Sequence, residues 1–135
     1  MEVLLDTHVI IWSLTDDERL SKKARELITG DDNIVYYSTA SLWELAVKNF
    51  KDPVKCPYNE AVIEDLCEKS GFRRLDISSD HIKLLRGLKV KKDRYLGNQD
   101  PFDRMLIAQA KACGARLISH DSNFENYDED CIYMI

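Results

Sequence analysis

The sequence predicts an α/β domain built on a mostly parallel central sheet of about five strands flanked by helices. Two observations lead there. Short apolar, β-branched runs alternate along the chain with longer stretches of helical periodicity. The short runs are continuously apolar, as strands covered on both faces are, and lack the apolar-polar alternation of half-exposed strands.

In chain order, residues 3–6 form the first strand and run into the polar triplet Asp6-Thr7-His8. Helices follow over 8–14 and 22–29, the second with Ser21 as N-cap and Gly30 as its stop. Residues 34–37, introduced by Asp31-Asp32-Asn33, are β-branched and aromatic and give the second strand. A helix over 39–50 sets Leu42, Leu45, Ala46 and Phe50 near one face, with Pro53 and Pro57 in the loop beyond. The next helix, 59–69, has Val62, Ile63 and Leu66 as its apolar side and ends at Gly71; residues 73–77 are a weaker third strand. Ser79 caps a short helix reaching residue 88, and the stretch 89–99 is basic and irregular. Asp100-Pro101 then opens a well-marked helix with Phe102, Met105, Leu106, Gln109, Ala110 and Cys113 on one stripe, closed by Gly114. Residues 116–119, running into His120-Asp121, and 131–135 supply the fourth and fifth strands.

With 135 residues and no repeat or polar linker, a single domain over 1–135 is expected. No apolar run approaches a membrane span, and the amino terminus reads as a strand and not as a signal peptide, so a cytoplasmic protein is expected. Cys56, Cys67, Cys113 and Cys131 show neither a Cys-x-x-Cys pair nor zinc-like spacing and are read as unreactive thiols. A net charge of −5 argues against a protein that holds nucleic acid through Lys and Arg alone. It leaves room for a carboxylate cluster that binds divalent cations, which in turn accept phosphate oxygens.

Asp6, Glu44, Asp103 and Asp121 stand where such a fold brings chain segments together, beyond the carboxyl ends of strands or near helix starts. Each also has a structural reading. Asp6 can cap the following helix, Glu44 sits in a Ser41-x-x-Glu44 capping box and four residues before Lys48, and Asp121 suits a turn. Asp100 is the natural cap of the Pro101 helix, which leaves Asp103 as a second acid in a turn already capped. Their convergence is what points to chemistry. Phosphodiester hydrolysis needs an activated water and neutralised phosphoryl charge, and Mg²⁺, a hard ion held by a few carboxylates and water, supplies both.

The motifs Leu4-Leu5-Asp6-Thr7-His8-Val9 with Trp12, Ser38 through Lys48 with Trp43-Glu44-Leu45-Ala46, Asp100-Pro101-Phe102-Asp103 through Ala110, and Leu117-Ile118-Ser119-His120-Asp121-Ser122-Asn123-Phe124 resemble, in order, a PIN domain, specifically the VapC-type ribonuclease toxins of toxin–antitoxin pairs. The resemblance implies a single PIN-like nuclease domain whose acidic metal site is Asp6, Glu44, Asp103 and Asp121, with Thr7 and Ser119 as supporting hydroxyls. It implies Mg²⁺, or Mn²⁺ in its place, as cofactor, RNA as substrate, cleavage leaving a 5′ phosphate and a 3′ hydroxyl, a homodimer, and a cognate antitoxin protein whose Arg or Lys neutralises the acids. Asn98 and Gln99 stand where similar sequences often carry a histidine, and Asn49-Phe50-Lys51-Asp52 replaces a glycine-containing turn. Asp100 is not clearly placed by it.

His8 and His120 flank candidate acids, but a metal that activates water makes a histidine base unnecessary. Lys89, Lys91, Lys92 and Arg94 either guide phosphates or form a solvated loop. Trp12, Trp43 and Phe50 offer stacking surfaces or core, with core favoured for Trp43. Two rival functions are a phosphotransferase with Asp6 as nucleophile, disfavoured because position 8 is histidine, and a catalytically silent PIN-like module that binds RNA or protein.

Overall fold

The computed structural model describes residues 1–91 and 99–135. Its strands are β1 (Glu2–Leu5), β2 (Ile34–Ser38), β3 (Arg73–Leu75), β4 (Arg116–Ser119) and β5 (Ile132–Met134). Its helices are α1 (Thr7–Leu14), α2 (Lys22–Thr29), α3 (Thr39–Lys51), α4 (Glu60–Lys69), α5 (Ser79–Leu84) and α6 (Pro101–Cys113). Single 3-10 turns cover Leu85–Gly87 and Ser122–Asn126.

The sheet order is β3-β2-β1-β4-β5, and every neighbouring pair is parallel. The chain builds outward from β1 to β2 and β3, then crosses to the other side for β4 and β5. The crossing puts a topological switch at β1 and β4, where a crevice opens beyond the carboxyl ends of the strands. Asp6 follows β1 and Asp121 follows β4 at that crevice.

Successive strand residues serve opposite faces. Val3 and Leu5 pack with Val35, Tyr37, Ile118 and residues of α1, α2 and α4 in one core. Leu4 and Leu117 pack with Met105, Leu106, Ile107 and Ala110 of α6, together with Phe124, in the other. This double covering is the reason the strands carry continuous apolar runs. Gly114 ends α6 at φ +66, a left-handed conformation that a side chain would strain.

Several expectations change in detail. Ser78, not Ser79, caps α5 in a capping box with His81, and α5 gives way to a 3-10 turn after Leu84. Ser38, not Ser41, caps α3, so Glu44 lies well inside that helix and caps nothing. Trp43, expected in the core, is 57 % exposed, and Phe50 is 93 % exposed. The helix spends its buried face on Ala40, Ser41, Glu44 and Leu45, which turns Trp43, Val47 and Phe50 outward as a second apolar stripe. In α4, Val62 and Leu66 likewise face out, and Ile63 and Cys67 are the buried pair. Trp12 is buried.

One buried polar contact ties the layers together. The Ser38 hydroxyl donates to Gln109 Oε1 and also accepts from the Ala40 amide at 2.9 Å, while Gln109 Nε2 donates to the Leu75 carbonyl at 3.4 Å. Both side chains are fully buried, so each atom left without its partner carries its whole desolvation cost. Ser38→Ala removes a helix cap and strands the Gln109 oxygen together, and is expected to destabilise the protein by about 2–3 kcal/mol in urea unfolding. A loss below about 0.5 kcal/mol would show that this contact does not tie α3 to α6.

Candidate active site

Asp6 enters the site from the end of the central strand. Its amide donates to the Ile118 carbonyl at 3.0 Å, extending the β1–β4 ladder by one step. Its carboxylate then works on two sides: Oδ1 accepts from the Thr7 amide at 2.7 Å, capping α1, and Oδ2 accepts from the Ser119 hydroxyl at 2.8 Å. The structural reading of Asp6 as a cap is therefore correct, and it leaves the outer lone pairs of the same carboxylate available.

Ser119 also accepts from the amide of Asp121 at 3.0 Å, which holds Asp121 in place beside Asp6. The Asp121 Oδ1 accepts from the Asn123 amide at 2.9 Å and caps the 3-10 turn after β4. On the other side Thr7 donates its hydroxyl to Glu44 Oε1 at 2.6 Å and shares a 2.9 Å hydrogen bond with Ser41. Glu44 Oε2 meets Lys48 Nζ at 2.6 Å, the helical ion pair expected from the spacing. Asp121, Ser119, Asp6, Thr7, Glu44 and Lys48 thus form one continuous polar chain across the crevice.

Asp103 joins from α6. Asp100 caps that helix through the amides of Phe102 and Asp103, at 2.8 and 3.0 Å, and so fixes the turn from which Asp103 projects. Partial burial first, and then the negative charges of Asp100, Asp6, Glu44 and Asp121, push the Asp103 carboxyl up to about 8. Burial likewise pushes Asp6 up to about 6, and Glu44 adds to the rise, while the Ser119 and Thr7 hydrogen bonds and nearby His8 oppose it. Lys48 loses some of its charge preference to burial, yet Glu44, Asp100 and Asp103 hold its affinity for the proton above the ordinary lysine range.

The structure accordingly brings Asp6, Glu44, Asp103 and Asp121 into mutual electrostatic reach, with Asp100 beside them. Among the described residues, however, no three His, Cys, Asp or Glu side chains are gathered closely enough to enclose a metal ion. The donor set still fits a hard divalent cation, because it is all oxygen and its like charges repel until a cation shares them. Mg²⁺ keeps several waters and typically takes only one or two carboxylates, so a closed cage is not required. The Asp103 carboxylate and Asp121 Oδ2 make no hydrogen bond among the described residues, whereas Asp6 and Glu44 each have both oxygens engaged and offer only their remaining lone pairs.

His8 is exposed and lies against Trp12, and His120, also exposed, contacts Trp12 edge-on and places Nδ1 3.2 Å from the Ile135 carbonyl. Lys89 does not adjoin the acids. It lies with Lys111, Gly114 and Arg116 at the opposite end of α6, eight residues or about 12 Å of helix beyond Asp103. Lys91 hydrogen-bonds the Asn126 carbonyl through its amide, while Lys92, Arg94 and Asn98 lie outside the described residues.

Sequence reasoning did not find that Ser41 joins Thr7 and Glu44, or that Lys48 faces Asp100 and Asp103 as well as its helical partner. The first had a signal, a serine three residues before an acid, but it was read as a cap.

The raised carboxyls make stability depend on pH in a defined direction. Native Asp103 keeps its proton to about pH 8, whereas the unfolded group loses it near 3.8, so the native state binds more protons throughout that window. Stability without metal is therefore expected to fall as pH rises from about 4 to about 8, with Asp6 contributing the same sign up to about 6. Melting temperatures measured in chelator should decline across this range, and Asp103→Asn should flatten the decline. A flat profile in the parent protein would mean that the acids do not repel one another as described.

The fold neighbours are informative beside this geometry. Three solved structures superpose over nearly the whole chain: VapBC2 from Rickettsia felis bound to a DNA fragment from its promoter (TM-score 0.69, 17 % identity, 99 % of this chain and 98 % of that one), DNA-bound VapBC from Salmonella typhimurium (0.63, 18 %, 99 % and 98 %), and a toxin-antitoxin complex from Klebsiella pneumoniae (0.61, 20 %, 98 % and 99 %). At these identities the likeness is one of fold. No curated protein matches the sequence. The PIN domain family matches it over residues 3–130, so nearly the whole chain is accounted for, and the protein belongs to the PIN domain family.

Proposed function

We propose that this protein is a metal-dependent endoribonuclease, the toxin of a toxin–antitoxin pair, with Asp6, Glu44, Asp103 and Asp121 as its metal-binding and catalytic carboxylates. The observation that carries the reading is the carboxylate cluster at the switch point of the sheet, where burial and mutual repulsion raise Asp6 to about 6 and Asp103 to about 8. Carboxylates destabilised in this way gain from a shared cation, and perturbed acids of this kind concentrate at functional sites.

Mg²⁺, or Mn²⁺ in its place, would supply an activated water and neutralise charge on the phosphodiester. The chain's own residues set where that happens. Asp6 and Asp103 face the crevice from β1 and α6 and offer oxygens to the cation. Asp121, oriented through Ser119, completes the negative wall from β4. Glu44, with one oxygen on Thr7 and the other on Lys48, contributes charge and fixes Thr7. Ser119 and Thr7 hold the carboxylates in register.

The antitoxin and homodimer belong to the same reading. Trp43, Val47, Phe50, Val54, Val62 and Leu66 form exposed apolar surface on α3, α4 and their connection, the kind of face that partner helices cover. The solved structures with this fold include toxin-antitoxin complexes.

A second reading has its own support. The Glu44–Lys48 pair neutralises one acid, and the carboxylates are not closed around a point, as in a catalytically silent PIN-like module that binds RNA or protein.

RNA cleavage separates the two. Purified protein freed of partners is expected to cut RNA only when Mg²⁺ or Mn²⁺ is added, with activity falling at least about 100-fold in Asp6→Asn and Asp103→Asn variants that keep the parent's circular dichroism. Ser119→Ala is expected to weaken metal affinity by about 10–100-fold, read by calorimetry, because the oxygen that it orients is then free to turn away. Full cleavage by a folded Asp6→Asn protein would overturn the assignment of the reaction to this carboxylate cluster. Absence of saturable metal binding by the parent would favour the silent module.

A further inference from the structure

Beside the carboxylates runs a groove of about 700 Å³ between α1, α3 and the α3–α4 connection, lined among others by Thr7, Arg19, Lys48, Lys51, Lys55 and Tyr58. Its size is within the range that accepts a compact organic group. It opens directly off the site, since Thr7 and Lys48 are both bound to Glu44.

The groove's charge runs against that of the molecule. The chain carries a net charge of −5, yet this lining holds Arg19, Lys48, Lys51 and Lys55 against Asp52 as its one carboxylate. A second groove, about 590 Å³ at the far end of α6, balances Lys89, Lys111 and Arg116 against Asp128, Glu129 and Asp130 and has no such preference. Within the basic groove the cations divide by role. Arg19 is held by Asp17 at 2.7 Å and lies 5.0 Å over the Trp12 ring, and Lys48 is committed to Glu44. Lys51 and Lys55 are exposed and make no ion pair among the described residues.

The walls are fixed. Asn49 Nδ2 donates to the Cys56 carbonyl at 2.8 Å and the Cys56 amide donates to the Asp52 carbonyl at 2.9 Å, which pins the connection back against α3. Half-buried Tyr58 packs against the core and lines the same groove as the lysines.

We propose that this groove is the track for single-stranded RNA next to the cleaved phosphodiester, with Lys51 and Lys55 meeting backbone phosphates and Tyr58 stacking a base. The proposal rests on the ribonuclease reading for its substrate and adds to it the path of the bound strand. A strand whose scissile phosphate sits at the acids must continue somewhere, and this groove adjoins the acids and offers anion contacts and an aromatic face together. An acidic peptide would satisfy the lysines but would leave the stacking surface without use.

The test measures binding, not cleavage. In the Asp103→Asn background with Mg²⁺, a fluorescein-labelled mixed-sequence RNA dodecamer is titrated at several salt concentrations. Lys51→Ala with Lys55→Ala is expected to lower the slope of log affinity against log salt by about 1.4, the value for two phosphate contacts on a single strand, and to weaken binding by roughly tenfold. Tyr58→Ala is expected to weaken binding about tenfold with the slope unchanged. Lys22→Ala with Lys83→Ala, both outside the groove, should leave the slope as it was. An unchanged slope in the groove variant, an equal fall in the outside variant, or no RNA binding at all overturns the proposal. If the expected slopes appear but the parent protein cuts no RNA under any metal, the groove stands and the nuclease reading falls.

Discussion

The carboxylate of Asp6 is buried at the end of the central strand, and each of its oxygens accepts a hydrogen bond from a different element, one from the start of α1 and one from the end of β4. An ionised group so placed is costly unless such donors hold it, and the two donors only partly offset the cost, since the group stays well above the ordinary aspartate range. The rest of the site is arranged around that imbalance. Ser119 transmits the position of Asp6 to Asp121, Thr7 transmits it to Glu44, and Asp103 faces them from a helix whose own cap is a further acid, Asp100. A molecule selected for stability alone has no reason to bring four like charges to one end of a sheet.

The supporting framework is unspecialised by comparison. Both faces of the sheet are closed by helices, and the continuous apolar strands, Gly114 after α6 and the Asp100-Pro101 start of α6 each serve local geometry in a familiar way. The Ser38–Gln109 contact is the exception, a buried polar link where an apolar pair would pack as well. It ties the start of α3 to the middle of α6, the two helices that carry Glu44 and Asp103, so it fixes the distance between acids that come from opposite sides of the crevice.

Much of this was legible in the sequence because strand-end acids and helix caps are local features. A mostly parallel sheet followed from the rhythm of elements, and the nearness of the four acids to one another followed from position and resemblance. The misreadings share a physical cause. Helical periodicity says which residues share a face, but not which face the sheet takes; α3 has two apolar stripes, and the one with Trp43 and Phe50 turned outward. Ser38 and Ser41, like Ser78 and Ser79, are neighbouring candidates for a single cap, and only the backbone path chooses between them. Lys89 looked close to the acids because it precedes α6 in sequence, whereas the fold leaves it at the helix's other end. The basic groove was invisible for the opposite reason, since Arg19 and Lys55 meet only through tertiary structure.

The hydrogen bond between Ser119 and Asp6 closes a loop of 113 residues, and β1 has its second neighbour only when β4 has been made. Long-range parallel pairing is slow to form and cannot be rehearsed by a partial chain. During synthesis, then, Asp6 waits through almost the entire chain before Ser119, Asp121 and the closed crevice exist. A product that stops short of β4 carries Asp6 and Glu44 but lacks Ser119 and Asp121, so the carboxylate cluster cannot assemble in it. Strand order in the sheet thus sets a schedule, in which the carboxylate cluster is among the last features of the fold to be completed.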